Sequence, residues 1–188
     1  MTTYRNEKYG FEIELPEGWA ISSGISRILI ILSNVFKRAN ILEEFSGGAK
    51  EYLNIVVEPM EPEIPPDINE LMFTLHAQDM KYTDVEFSRI TICDRAHASV
   101  CYVMNRRGWL KKYLIVLNGY GYALTASCRI ENRSPQVEET WDSIAASFQL
   151  LNHIDNSVIA LNNSLQARRS IEMLREHLKM QLEKRKYQ

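Results

Sequence analysis

Four strand-length segments separated by turn chemistry lie between Val85 and Cys128, and this run limits the possible folds most sharply. Val85 to Ile92, Ala98 to Met104, Trp109 to Leu117 and Tyr122 to Cys128 are rich in β-branched and aromatic residues. Asn105-Arg-Arg-Gly108 and Asn118-Gly-Tyr-Gly121 carry the asparagines and glycines that tight turns require. Connections this short join antiparallel neighbours, because a parallel pair needs a long crossover. The segment therefore predicts an antiparallel meander, and its apolar face needs a cover.

Two helices are predicted to supply that cover. Ser134 caps a helix with Pro135 at its first position, where a proline costs no hydrogen bond. Val137, Trp141, Ile144, Ala145 and Phe148 then recur at helical spacing on one side. An earlier helix is predicted from about Ile68 to Lys81, opened by a capping pattern of Asp67 and Glu70. Ile68, Leu71, Met72, Leu75 and Asp79 share one of its faces. Pro59, Pro62, Pro65 and Pro66 form the linker before it, since proline cannot join a ladder. Toward the N-terminus, Phe11, Ile13 and Leu15 alternate with Glu12 and Glu14 as in a half-buried strand. Pro16-Glu-Gly18 is turn chemistry, and Trp19-Ala-Ile21 opens the next strand. Ile28 to Leu32 reads as a central strand and Tyr52 to Glu58 as another, while Val35 to Lys50 fits either a short helix or a long hairpin.

The C-terminal 23 residues differ in character: from Gln166 they carry a net charge of +4, which leaves −6 on the preceding 165. With no proline or glycine, this tail should be helical. Ile154, Val158, Leu161 and Leu165 form one stripe; Ile171, Leu174, Leu178 and Leu182 form another, rotated by roughly 120°. One straight helix cannot turn both stripes to one core. Either the chain kinks near Arg168 and Arg169 and both halves dock, or the second stripe meets a partner chain.

Chemistry is sparse. A net charge of −2 gives no basis for nucleic-acid binding. The tail's apolar stripe is narrow and lacks Trp or Phe, so membrane binding is not expected either. Three cysteines make no disulfide framework and fit reduced thiols in the cytoplasm. The opening residues lack the basic and apolar regions of a signal peptide, and the longest apolar run is far below the ~20 residues of a membrane span. No nucleophile elbow, phosphate loop or dinucleotide fingerprint occurs, so no enzyme activity and no cofactor are expected. Cys93, His97 and Cys101, with Asp94 alongside, are the one metal-like set. On an extended strand they would stand about 13 Å apart at each step, so core or edge thiols are the preferred reading. His76 and Asp79 read as a surface contact, His153 and His177 as solvated, and Glu43-Glu44 and Glu138-Glu139 as solvated pairs. Among Trp19, Trp109, Tyr113, Tyr120 and Tyr122, Tyr120 at a turn is the one expected to be exposed.

One ordered set of residues resembles a known family. Tyr4, Asn6, Tyr9-Gly10-Phe11, Ile13, Pro16 and Gly18-Trp19 resemble the opening of the PsbP and DcrB-like proteins. Asn54 to Glu58, Gly121 to Ser127, Trp141-Asp-Ser-Ile144 and Ser147-Phe148 resemble later parts of the same pattern. The resemblance implies an α+β fold, an antiparallel sheet flanked by helices in an α/β/α sandwich, with an extra C-terminal helix here. The domain would span residues 1–151, and residues 152–188 would form the extension. It also implies a binding, assembly or chaperone role, as in cytosolic adaptors that hold secreted toxins. The expected function is thus a non-catalytic cytoplasmic adaptor whose partner is a secreted effector or a second copy. Contacts would run through a sheet face, Tyr120, or the tail residues Arg168, Arg169, Ile171, Leu174, Leu178 and Leu182. The alternative is a small-ligand or metal module at Cys93, His97 and Cys101.

Overall fold

A computed structural model describes residues 1–7, 10–21, 41–47, 51–59, 64–117, 120–151 and 165–186. The strands are β1 (Thr2–Asn6), β2 (Phe11–Leu15), β3 (Ala20–Ile21), β4 (Ile41–Gly47), β5 (Glu51–Pro59), β6 (Thr83–Ile92), β7 (Arg95–Met104), β8 (Gly108–Leu117), β9 (Tyr120–Arg129) and β10 (Gln149–Leu150). The helices are α1 (Pro66–Met80), α2 (Pro135–Ala146) and α3 (Leu165–Lys186). Two antiparallel sheets result: a small one ordered β1-β2-β10, and a seven-stranded one ordered β3-β4-β5-β9-β8-β7-β6. The meander β6 to β9 forms as the turn residues predict, and β5 pairs back onto β9 to extend it. Ile41–Gly47 is strand, which settles that part of the ambiguous stretch; the strand expected at Ile28 to Leu32 lies outside the described residues.

Alternation along the strands sends two sets of side chains to two cores. Trp109, Tyr113, Ile115, Tyr122 and Leu124 face the larger one, where Phe11, Ile13 and Leu15 of β2 and Trp141, Ile144 and Ala145 of α2 cover them. Trp109 stacks on Trp141 with ring centroids 4.7 Å apart, and Phe11 stacks on Phe148 at 5.5 Å. Val100, Tyr102 and Leu110 face the other way and meet Phe73 and Ala77 of α1. Tyr82 and Tyr102 stack at 4.7 Å beneath that helix.

Helix α2 starts as its sequence requires. Ser134 is extended (φ −153°), and its Oγ accepts from the Val137 amide at 3.3 Å. Helix α1 departs from expectation at its start and on its face. Pro65 occupies the cap with no side-chain bond, and the expected capping pair is engaged elsewhere: Asp67 with Arg175, Glu70 with Arg89. The residues buried on α1 are Ile68, Asn69, Phe73 and Ala77, whereas Met72 is exposed. Phe73 turns the helix so that it, not the Leu71–Leu75 face, rests on the sheet. Asp79 instead faces α3, where Arg185 donates to its carboxylate and to the Leu75 carbonyl.

One close approach fixes a glycine. A Cβ on Gly47 would lie 2.6 Å from Trp19 Cε2, so β4 can accept Trp19 only with a glycine at that position.

Candidate functional site

The side chains with most chemical potential converge between β8 and α2. Period two on β8 places Lys111 on the same face as Trp109 and Tyr113, beneath α2. Its side chain is 4% exposed, and its Nζ donates to Glu138 Oε1 at 2.8 Å and to Asp142 Oδ2 at 2.9 Å. Tyr113 donates to Asp142 Oδ1 at 2.8 Å, and the Cys101 thiol lies 3.6 Å from Glu138 Oε1. The two acids are four residues apart on α2, so one turn of helix brings both to the ammonium. Glu138 and Asp142 keep 35% and 44% of their side-chain surface, so the cluster opens to water along the rim of α2.

Protonation in this cluster favours a clamp over a reaction centre. Burial alone would lower the Lys111 pKa, but the hydrogen bonds it donates to Asp142 and Glu138 outweigh it and the ammonium is held charged. Burial would raise Glu138, but the Lys111 bond and charge outweigh it and the carboxylate is held ionised. Burial pushes the Cys101 thiol up to about 12 and moves the Tyr113 phenol further up as well. Neither group supplies a nucleophile near neutral pH. Sequence reasoning took Glu138 as solvated; the missed signal was Lys111 itself, a lysine at an inward strand position that requires a carboxylate.

Cys93, His97 and Cys101 are not brought together. Cys93 and Asp94 make the β6–β7 turn with φ of 48° and 59°. The Cys93 thiol donates to the Phe148 carbonyl at 3.4 Å, and the Cys101 thiol goes to Glu138. His97 is buried opposite Ile90, its pKa lowered by burial, and its Nε2 has no hydrogen-bond partner among the described residues. Among the described residues no group of three His, Cys, Asp or Glu side chains could hold a metal ion. His76 packs edge-on to Phe73 and Tyr82, and Asp79 takes Arg185 instead.

The C-terminal stripe is found against α1. Helices α1 and α3 run in the same direction: Arg175 Nε meets Asp67 Oδ2 at 2.7 Å, and Arg185 Nη1 meets Asp79 Oδ1 at 2.7 Å. Leu178 between them is 9% exposed; Ile171 and Leu182 are half-buried, and Leu174 is exposed. Arg168 and Arg169 lie in the first turns of α3, with side chains outside the described set, as is His153. Tyr120, expected to be exposed, is half-buried at the start of β9, where it packs on the larger core beside Tyr122. Strand pairing with Leu117 draws it inward.

No helix among the described residues is long and apolar enough to cross a membrane. No protein-family model and no curated protein matches the chain. Solved structures do. A cyanobacterial PsbP (CyanoP) from Synechocystis sp. PCC 6803 is 14% identical, with a TM-score of 0.53 over 79% of this chain and 91% of that one. A protein from Bacteroides thetaiotaomicron VPI-5482 is 8% identical, with a TM-score of 0.50 over 81% of this chain. The match spans 49% of that second protein's length. At these identities the likeness concerns architecture, and the chain has a PsbP-like α+β fold with a helix added at its C-terminus.

Proposed function

We propose that the chain is a non-catalytic protein-binding module of adaptor or chaperone type, working in the cytoplasm, with the α1–α3 pair as its contact surface. One observation carries the reading. Of eight exposed large apolar side chains among the described residues, five lie on these two helices: Met72, Met80, Met173, Leu174 and Met180. Methionine is unbranched and polarizable, so exposed methionines adapt to differently shaped apolar partners. Met173 and Met180 are seven residues apart and share the side of α3 turned away from Leu178. Helix α3 is thus apolar both toward α1 and outward, as a helix shared between its own domain and a second chain would be.

The test compares the wild-type chain with Met173→Glu/Met180→Glu by light scattering, coupled to affinity capture from host lysate. The expected result is a mass above the 21.8 kDa of one chain, or a captured protein, lost in the variant. A single-chain mass and no specific capture in either form would remove the reading.

A further inference from the structure

A cluster of arginines lies at the β7–β8 hairpin end of the large sheet, where Thr83, just after α1, pairs with Val103. Arg106 and Arg107 form the tip of the β7–β8 hairpin and are exposed. Arg129 ends β9 directly across from Gly108, and the Ile130 amide donates to the Arg107 carbonyl at 2.8 Å. Arg133 follows one short turn later, its guanidinium 4.9 Å from the Trp109 ring centroid. Backbone pairing thus gathers these arginines at one edge, where the positive N-terminal end of α2 also lies. Two acids lie near it: Glu131, 3.5 Å from Arg129, and Glu138, which feels the charge of Arg133.

The hairpin tip adds a second, independent observation. The Arg107 amide donates to the Met104 carbonyl at 3.2 Å, closing a tight turn over Asn105 and Arg106. Both are left-handed, with φ of 54° and 56°. Asparagine suits such a position, but glycine is preferred after it, and arginine is disfavoured there. Cys93 and Asp94 form a similar left-handed turn, so what sets this tip apart is its charge: an exposed arginine stands where glycine would fit better, next to Arg107.

We propose that this arginine edge is a docking site for an acidic peptide segment of a partner protein, an inference that rests on the protein-binding reading above. Arginine forks bind carboxylates in pairs, and Arg133 is already held in place by Trp109. A nucleic acid fits less well. Trp109 is 1% exposed and covered by Arg133, so it offers bases no stacking surface, and the net charge of −2 repels a long polyanion. An extended anionic bilayer meets the same repulsion, whereas a short acidic segment touches the edge alone.

The experiment measures fluorescence anisotropy of a labelled octaglutamate peptide on the full chain, alongside octalysine, oligothymidylate and phosphatidylserine vesicles. Octaglutamate is expected to bind, with salt weakening it, and Arg106→Gly/Arg107→Ser to weaken it about tenfold. Arg106→Gly alone should weaken binding while leaving the melting temperature equal or higher, since it installs the favoured Asn-Gly turn. No octaglutamate binding, equal binding by the variants, or tighter binding of oligothymidylate or vesicles overturns the proposal. Failure here with loss of partner in Met173→Glu/Met180→Glu would reject the arginine edge and leave the helix-pair reading standing. Success here with no effect of the methionine changes would do the reverse.

Discussion

Lys111 shows how one residue ties two layers together. Replacing it with methionine keeps the volume and removes the charge that Glu138 and Asp142 share. Loss of one partner of a fully buried pair costs about 3–5 kcal/mol, but these carboxylates can rehydrate at the rim, so Lys111→Met should cost about 1–3 kcal/mol in urea unfolding. The pH dependence follows from Glu138. Its folded pKa lies below the unfolded carboxyl value, so its contribution is complete above about pH 4.3 and is lost as pH falls through the folded value. Melting curves between about pH 5 and pH 3 should therefore be flatter for Glu138→Gln than for wild type. The thiols give a simpler test. Cys101 and Cys128 are buried and pushed up to about 12 and about 11; partial burial of its thiol raises Cys93 too, but that residue is exposed at a turn. Ellman's reagent at pH 8 should titrate Cys93 alone in the folded protein and all three in denaturant.

Elements that the sequence pattern revealed are those held by one surface. The meander was legible because two of its three connections carry Asn and Gly in sequence and its strands are long, whereas the Cys93-Asp94 turn gave no such sign, and α2 because Ser134, Pro135 and the Trp141 stripe agree. Ser134→Ala should cost about 1 kcal/mol, and Gly47→Ala should cost more, because Trp19 must leave its place on the core. Chemical denaturation of the two variants side by side ranks them. Helix α1 forms where expected, but its cap and its packed face differ for a physical reason. It lies between the sheet and α3, so its apolar residues are divided between two directions and no single stripe stands out. Its Asp67 and Glu70 look like a capping pair in sequence, but each is claimed by an arginine more than fifteen residues away. Long-range ion pairs leave no local signature, and for that reason the Lys111 clamp was also invisible from α2.

The whole molecule divides its charge unequally, +4 on the tail against −6 before it, and the contact between the two parts follows that division. Helix α3 presents arginines to the acids of α1, and among its described side chains Leu178 alone is buried there. Parallel alignment sets like ends of the two helix dipoles together, a small cost that the ion pairs offset. Exposed pairs of this kind contribute about 0–1 kcal/mol each and are screened at high salt. The central strands are held instead by apolar burial, which salt does not weaken. Hydrogen exchange should therefore separate the two. Raising sodium chloride from about 0.05 to about 1 M, where the screening length falls from more than 10 Å to roughly 3 Å, should speed exchange across residues 171–186 and leave β7 to β9 unchanged. Arg175→Glu should bring the same faster exchange at low salt, and added salt should then change little. If α3 exchanged as slowly as β8 under every condition, the helix would belong to the cooperative core, and its stripe could not be released to a second chain.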